Sequence, residues 1–131
     1  MAVRWTSNET DWPIVRLELP PEARVREIDH DSFYGLIEAL LAKGGRFATL
    51  QDMRPVGIMD PMRRKRYTDW VRAREPALRR HLIAHAMVVD SNLQRGVTTA
   101  VLWVVEPPVP IQQFTDPDEA RAWLKEKVSS A

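Results

Sequence analysis

Apolar and polar positions along the chain follow two periods, and the switching between them lays out the elements. From Ile14 to Leu19 (IVRLEL) apolar and charged residues alternate. That predicts a half-buried strand with Val15, Leu17 and Leu19 on one face and Ile14 outside the set. The mixed stretch VRWTSN before it, separated by a turn at Asp11, Trp12 and Pro13, predicts a hairpin partner at a sheet edge. Pro20 and Pro21 end the strand. Phe33, Leu36, Ile37, Leu40 and Leu41 then recur at helical spacing, with Asp29 or Asp31 placed to cap the helix and Gly44 and Gly45 to stop it. The run Phe47 to Gln51 reads as a buried central strand entering a polar turn at Asp52 and Arg54.

Asp60 followed by Pro61 opens a second helix whose inner face is Met62, Tyr67, Trp70 and Val71. Pro76 should break it near Arg74, leaving a second piece through Leu78 to the neighbourhood of Leu82. Ala84 to Val89 (AHAMVV) is another buried strand, ending at Asp90. Between Leu93 and Val105 two signals compete. TTAVLWVV is rich in β-branched residues, as strands are, yet Leu93, Val97, Ala100, Val101 and Val104 fit a helix and the run is long for a strand. The spacing and length predict a helix, capped by Ser91 or Asn92 and apolar nearly all round, so that it should be covered on both sides. A proline-rich break leads to a short strand, Ile111 to Phe114. Asp116, Pro117 and Glu119 then start a last helix with Ala120, Trp123, Leu124 and Val128 inside. Strands alternating with helices predict an α/β fold, one domain over residues 1–131, with a mixed sheet, an antiparallel N-terminal hairpin and about four helices.

The bulk properties narrow the class. The chain has 131 residues, 44% of them apolar and 28% charged, enough to close a core. Nineteen basic residues against 18 acidic ones argue against a dedicated nucleic-acid binder. With no cysteine there is no disulfide, thiolate metal site or cysteine nucleophile, which suits a reducing compartment. Met1 to Glu9 shows no leader pattern, and the longest uncharged apolar run, Gly96 to Val105, falls well short of the ~20 residues of a membrane span. The expected location is the cytoplasm.

The strand end LQDMR (Leu50–Arg54), the segment SNLQRGVTTAVLWVVEPPVP (Ser91–Pro110) and the closing FTDPDEARAWLKE (Phe114–Glu126) together resemble the STAS fold, and more closely its SpoIIAA-like branch of small bacterial proteins. The resemblance implies a non-catalytic protein–protein interaction or regulatory module, with no cofactor. It also implies a phosphorylatable Ser or Thr where the central strand meets the next helix, as in anti-sigma factor antagonists. Here Met59, Asp60, Pro61 and Met62 stand at that junction, without a hydroxyl.

No motif fixes a reaction, and no catalytic set is expected. Asp52, Arg54, Asp90 and Ser91, with Asn92, gather at the predicted carboxyl ends of two strands, the rim where ligands of open sheets bind. Turns and caps favour the same residue types. Asp60 is a further candidate, either as a fixed charge at the family's switch position or as a cap. His81 and His85 are four apart, but a helix-to-strand break between them and the lack of a zincin glutamate argue against a metal. Arg63, Arg64, Lys65 and Arg66 form a basic face that fits a protein partner. Of the five tryptophans, Trp70, Trp103 and Trp123 fall on apolar stripes and are most simply core, and Trp5 and Trp12 are free to sit at a dimer or partner surface. A homodimer through the apolar helix or the hairpin is one arrangement this allows. The alternative function is carriage of a small apolar or lipid-like ligand in a cavity near Trp103 and Phe33.

Overall fold

In the structure, a computed structural model that describes residues 2–131, a five-stranded mixed sheet is covered by five α-helices. Met1, where the stretch tested for a leader begins, lies outside the described residues. The sheet runs β2 (Thr6–Asn8), β3 (Ile14–Glu18), β5 (Phe47–Asp52), β6 (Leu82–Val88) and β7 (Ile111–Phe114), in that spatial order. β2 pairs antiparallel with β3, forming the expected hairpin at one edge, and the other pairs are parallel. A two-residue parallel contact between β1 (Val3–Arg4) and β4 (Ile28–Asp29) was not foreseen from the pattern.

Because the parallel strands follow one another across the sheet in chain order, right-handed crossovers put every connecting helix on one face. Those helices are α1 (Ser32–Ala42), α2 (Pro61–Ala73), α3 (Glu75–His81) and α4 (Asn92–Val105). Their core side chains join Val15, Leu17, Phe47 and Met87 in one apolar cluster. α5 (Pro117–Ser129) follows the last strand and closes the other face, where Ala120 and Leu124 meet Ile14, Ala48, Leu50, Ala84, Ala86 and Val88. Small side chains on strand and helix let α5 lie close to the sheet. Ile14 therefore has a core of its own: α5 covers the second face of β3 at Ile14, while Arg16 and Glu18 farther along that face stay outside it, as the alternation assigns them.

The punctuation is largely as expected. Asp60 caps α2, accepting from the Arg63 amide at 2.9 Å, and Pro76 divides α2 from α3 at Arg74. Gly44 takes φ +85° just past α1, a conformation that costs glycine least. At the start of α1 the cap differs. Asp31 holds the N-cap position without a side-chain hydrogen bond, and Ser32 Oγ instead accepts from the Trp5 amide at 2.8 Å and donates to Asp29 O at 2.6 Å. That bond ties the N-terminal segment down and buries Trp5 against Phe33. Trp5 is only 4% exposed, so it is core and not part of a partner surface; Trp12 is the exposed member of the pair.

α4 is a helix, but its rotation differs from the predicted stripe. Gln94, Val101 and Val105 face inward. Trp103 sits half a turn away and is 78% exposed, with Leu93 and Val104 also outside. The expectation that Trp103 is core, and that both sides of this helix are covered, is corrected. The cause is Gln94, 2% exposed, whose Nε2 donates to Met53 O at 2.7 Å and Gly57 O at 3.1 Å while its Oε1 accepts from the Asp90 amide at 3.1 Å. Three hydrogen bonds to backbone fix the helix phase against the apolar preference of Trp103. Met62, assigned to the inner face of α2, is likewise exposed, at 84%.

Candidate functional site

Three sets of polar side chains stand out, and they lie in different places. The first is the rim at the carboxyl ends of β5 and β6. Asp52, Arg54 and Asp90 do line one shallow cleft there, with Leu19 and Pro55. Arg54 grips Asp52 in a two-point ion pair, Nε to Oδ1 at 2.9 Å and Nη2 to Oδ2 at 2.8 Å, on top of a turn bond from the Arg54 amide to Asp52 Oδ1. The pair raises the Arg54 pKa above its ordinary value, with Asp90 adding a smaller pull. Ser91 caps α4, accepting from the Gln94 amide at 3.0 Å. Among the described residues each of these groups thus has a structural partner except the Asp90 carboxylate, and no nucleophile–base pair is formed among them.

The second set is the basic run on α2, which the fold divides. Arg63 turns inward: its Nε meets Asp60 Oδ2 at 3.0 Å and its Nη2 donates to Ile58 O at 2.7 Å. Its Nη1 lies 3.3 Å from both ring nitrogens of His30. A point equidistant from both nitrogens at that range must sit over the ring face, since in the ring plane it would collide with the carbon between them. The contact is therefore cation-on-ring stacking. Burial first, and the Arg63 charge second, lower the His30 pKa, so this imidazole is neutral at neutral pH. Arg66 stacks 4.4 Å from the Tyr34 ring centre and lies 3.6 Å from Asp31. Asp60 is held below the usual carboxylate range by the Arg63 amide, then by the Arg63 side chain.

Arg64 and Lys65 point the other way. With Thr68, Asp69 and Arg72 they form one wall of a groove whose other wall is Ala100, Val101 and Val104 of α4. Arg72 Nη2 donates to Val104 O at 3.2 Å, and Lys65 reaches Asp69 at 2.6 Å. Arg64 Nε is buried without a partner. Trp103 does not line the groove; it precedes Val104 on α4 and is exposed.

The third set was missed by sequence reasoning and lies inside the sheet. Phe47 pairs with Leu82 and Thr49 with His85, so β6 carries an extra residue between those two positions. That bulge re-aims His85 toward α1 and α2. His85 Nδ1 is 2.5 Å from Thr49 Oγ1 and its Nε2 is 3.2 Å from Gln51 Oε1. Burial lowers the His85 pKa to about 4, so the ring is neutral. The Gln51 oxygen takes the Nε2 proton, and Thr49 therefore donates to Nδ1. Alternating side chains on β5 (Thr49, Gln51) were a legible signal of one polar face; the bulge that adds His85 was not. His81, the last residue of α3, sits with its Nδ1 3.0 Å from Gly45 O, apart from His85. Among the described residues no three His, Cys, Asp or Glu side chains gather as metal ligands, and no helix is long and apolar enough to cross a membrane.

No curated protein and no solved structure matches the chain. One protein-family model does, described as SpoIIAA-like, and it spans residues 16–125. That stretch holds the last three residues of β3, β4 through β7, all the crossover helices and most of α5. The chain belongs to the SpoIIAA-like family.

Proposed function

We propose that this protein is a non-catalytic protein–protein interaction module of STAS-like type, acting in the cytoplasm, and that it receives an acidic, amphipathic segment of a partner along the α2–α4 face. The observation that carries this reading is the continuity of an exposed apolar strip with a basic wall. Leu93, Trp103 and Val104 lie outside on α4, beside a groove walled by Arg64, Lys65 and Arg72 with Asp69 as the single acid. A large aromatic, aliphatic neighbours and flanking arginines are the composition that interface centres favour. Charge complementarity selects an acidic partner over a second copy, because self-association through this face would bring the same cations together.

Control by phosphorylation at the family's switch position is not part of the proposal. The junction Met59–Met62 offers no hydroxyl. The nearest ones, Thr49 and Thr68, are buried and already bonded, Thr68 to Arg64 O at 2.9 Å. Carriage of an apolar or lipid-like ligand is less well supported. The two cavities beside Phe33 hold about 50 and 30 Å³, whereas pockets for drug-sized ligands run to roughly 300–1,000 Å³ and a lipid-like one needs no less, and Trp103 lines neither cavity. The enzymatic alternative at Asp52 and Asp90 needs a free pair of carboxylates, and Arg54 occupies one.

The test is affinity capture from the native host with three baits: the unaltered chain, Trp103→Ala, and Arg64→Gln with Arg72→Gln. The expected outcome is an acidic protein held by the first bait, lost from the other two, and released by salt. A partner retained equally by all three overturns the proposed face. A dimer in sedimentation that dissolves on Trp103→Ala would assign the face to a second copy.

A further inference from the structure

The larger cavity beside Phe33 lies between the N-terminal segment, α1, α2 and the sheet, is open to solvent on one side, and has a volume of about 50 Å³. Most of its wall is apolar or aromatic, including Phe33, Met53 and Met87. Of the polar side chains that line it, the two buried ones come from different elements. Gln51 on β5 is 5% exposed and Tyr67 on α2 is 8% exposed. Among the described residues, neither the Gln51 Nε2 nor the Tyr67 hydroxyl has a hydrogen-bond partner. Neither atom is among the side-chain atoms sealed away from solvent without a partner, so both donors open onto space that a guest can enter.

The polarity of the Gln51 amide is set from behind. Thr49 donates to His85 Nδ1, His85 Nε2–H donates to Gln51 Oε1, and so the amino end of Gln51 is left for the cavity. Donors linked in one direction polarise each other. The charges at the mouth cancel: Arg63 is tied to Asp60, Arg66 lies beside Asp31, and His30 is neutral under Arg63. Tyr34, also at the mouth, keeps its proton because burial raises its pKa to about 12. What the cavity offers is therefore directed donors, apolar walls and no net charge. Its volume fits about four non-hydrogen atoms, given the ~10–15 Å³ that one water needs on this measure.

We propose that this cavity binds a small uncharged carbonyl compound, of primary-amide or small-ketone type. Its oxygen accepts from Gln51 Nε2 and the Tyr67 hydroxyl, and its alkyl end packs on Phe33, Met53 and Met87. The site is separate from the α2–α4 face, and its failure would leave that reading untouched.

Acetamide and acetate test this directly, because they match in shape and differ in charge. Titration of the ¹⁵N-labelled chain with acetamide should give saturable shifts at the Gln51 side-chain amide and the Trp5 indole, and acetate at equal concentration should not. Tyr67→Phe, which keeps the packing, and Gln51→Leu should each weaken acetamide by about fivefold or more while the rest of the spectrum stays native. Absence of saturation by acetamide would leave water as the only occupant and overturn the proposal. Equal or tighter binding of acetate, or unchanged binding in both variants, would do the same.

Discussion

Gln94→Leu isolates the group that sets the rotation of α4. Leucine keeps the volume and helix propensity but removes two donated bonds and one accepted bond. The Met53 carbonyl keeps its bond from the Val56 amide at 2.9 Å, so it loses one of two donors, which costs about 1 kcal/mol. The Gly57 carbonyl and the Asp90 amide are part-buried and recover some hydration, adding about 1 kcal/mol together. The total is about 2 kcal/mol, a sizeable share of the 5–15 kcal/mol by which domains of this kind are stable. An unfolding entropy of about 2.1 cal/mol/K per residue over 131 residues turns this into a Tm lower by about 7 °C. Calorimetry and urea unfolding measure it, and hydrogen exchange should show lost protection at the Asp90 amide. A Tm within about 2 °C of the parent, given that scale, would refute the claim that Gln94 determines the helix phase.

Three further outcomes are expected. His85 has its folded pKa depressed to about 4 from 6.5, so the unfolded chain binds the proton more readily between those values. Stability from this group is complete above pH 6.5 and falls by about 3 kcal/mol as the pH drops to 4; His85→Gln should flatten that slope, and an imidazole titrating near pH 6.5 by NMR would contradict the burial argument. Asp60→Ala should lower the unfolding midpoint while Asp60→Asn retains it, because asparagine still caps α2; equal loss in both would show the ion pair with Arg63, not the cap, to be the larger effect. Trp103→Asp should change stability by less than about 0.5 kcal/mol, since the ring is 78% exposed; a collapse of folding would mean that the ring is buried.

Much of the fold was legible because its signals are local. Asp60-Pro61, Pro76, Gly44 and Asp116 act through bonds within a few residues, and each works where the sequence places it. The apolar stripe of α1 also needed only its own spacing. Features that depend on a distant partner were not legible. Trp5 is buried because Ser32, 27 residues on, holds its amide, and Ile14 is buried because α5 arrives from the far end of the chain. The candidate site follows the same division. Asp52 with Arg54, and Ser91 at its cap, were readable as turn chemistry. The division of the basic run, Arg63 toward Asp60 and His30 and Arg64 toward α4, was not, since it depends on where α2 rests between its neighbours.

The exchange of roles between Trp5 and Trp103 shows what decides such cases. Both are large apolar rings, and burial favours either by a few kcal/mol at most. Backbone groups at the junctions have less freedom, because among the described residues the Asp90 amide and the Gly57 carbonyl have no partner but the Gln94 side chain. Gln94 meets both, and rotating α4 to bury Trp103 would withdraw those bonds and expose Val101 and Val105 in return. A helix with a polar anchor on one edge and apolar residues elsewhere therefore turns its surplus apolar surface outward. The same reasoning explains why the exposed strip on α4 adjoins α2: Gln94 binds the loop that leads into α2, so the anchor that turns Trp103 to solvent also sets the apolar strip against the basic wall.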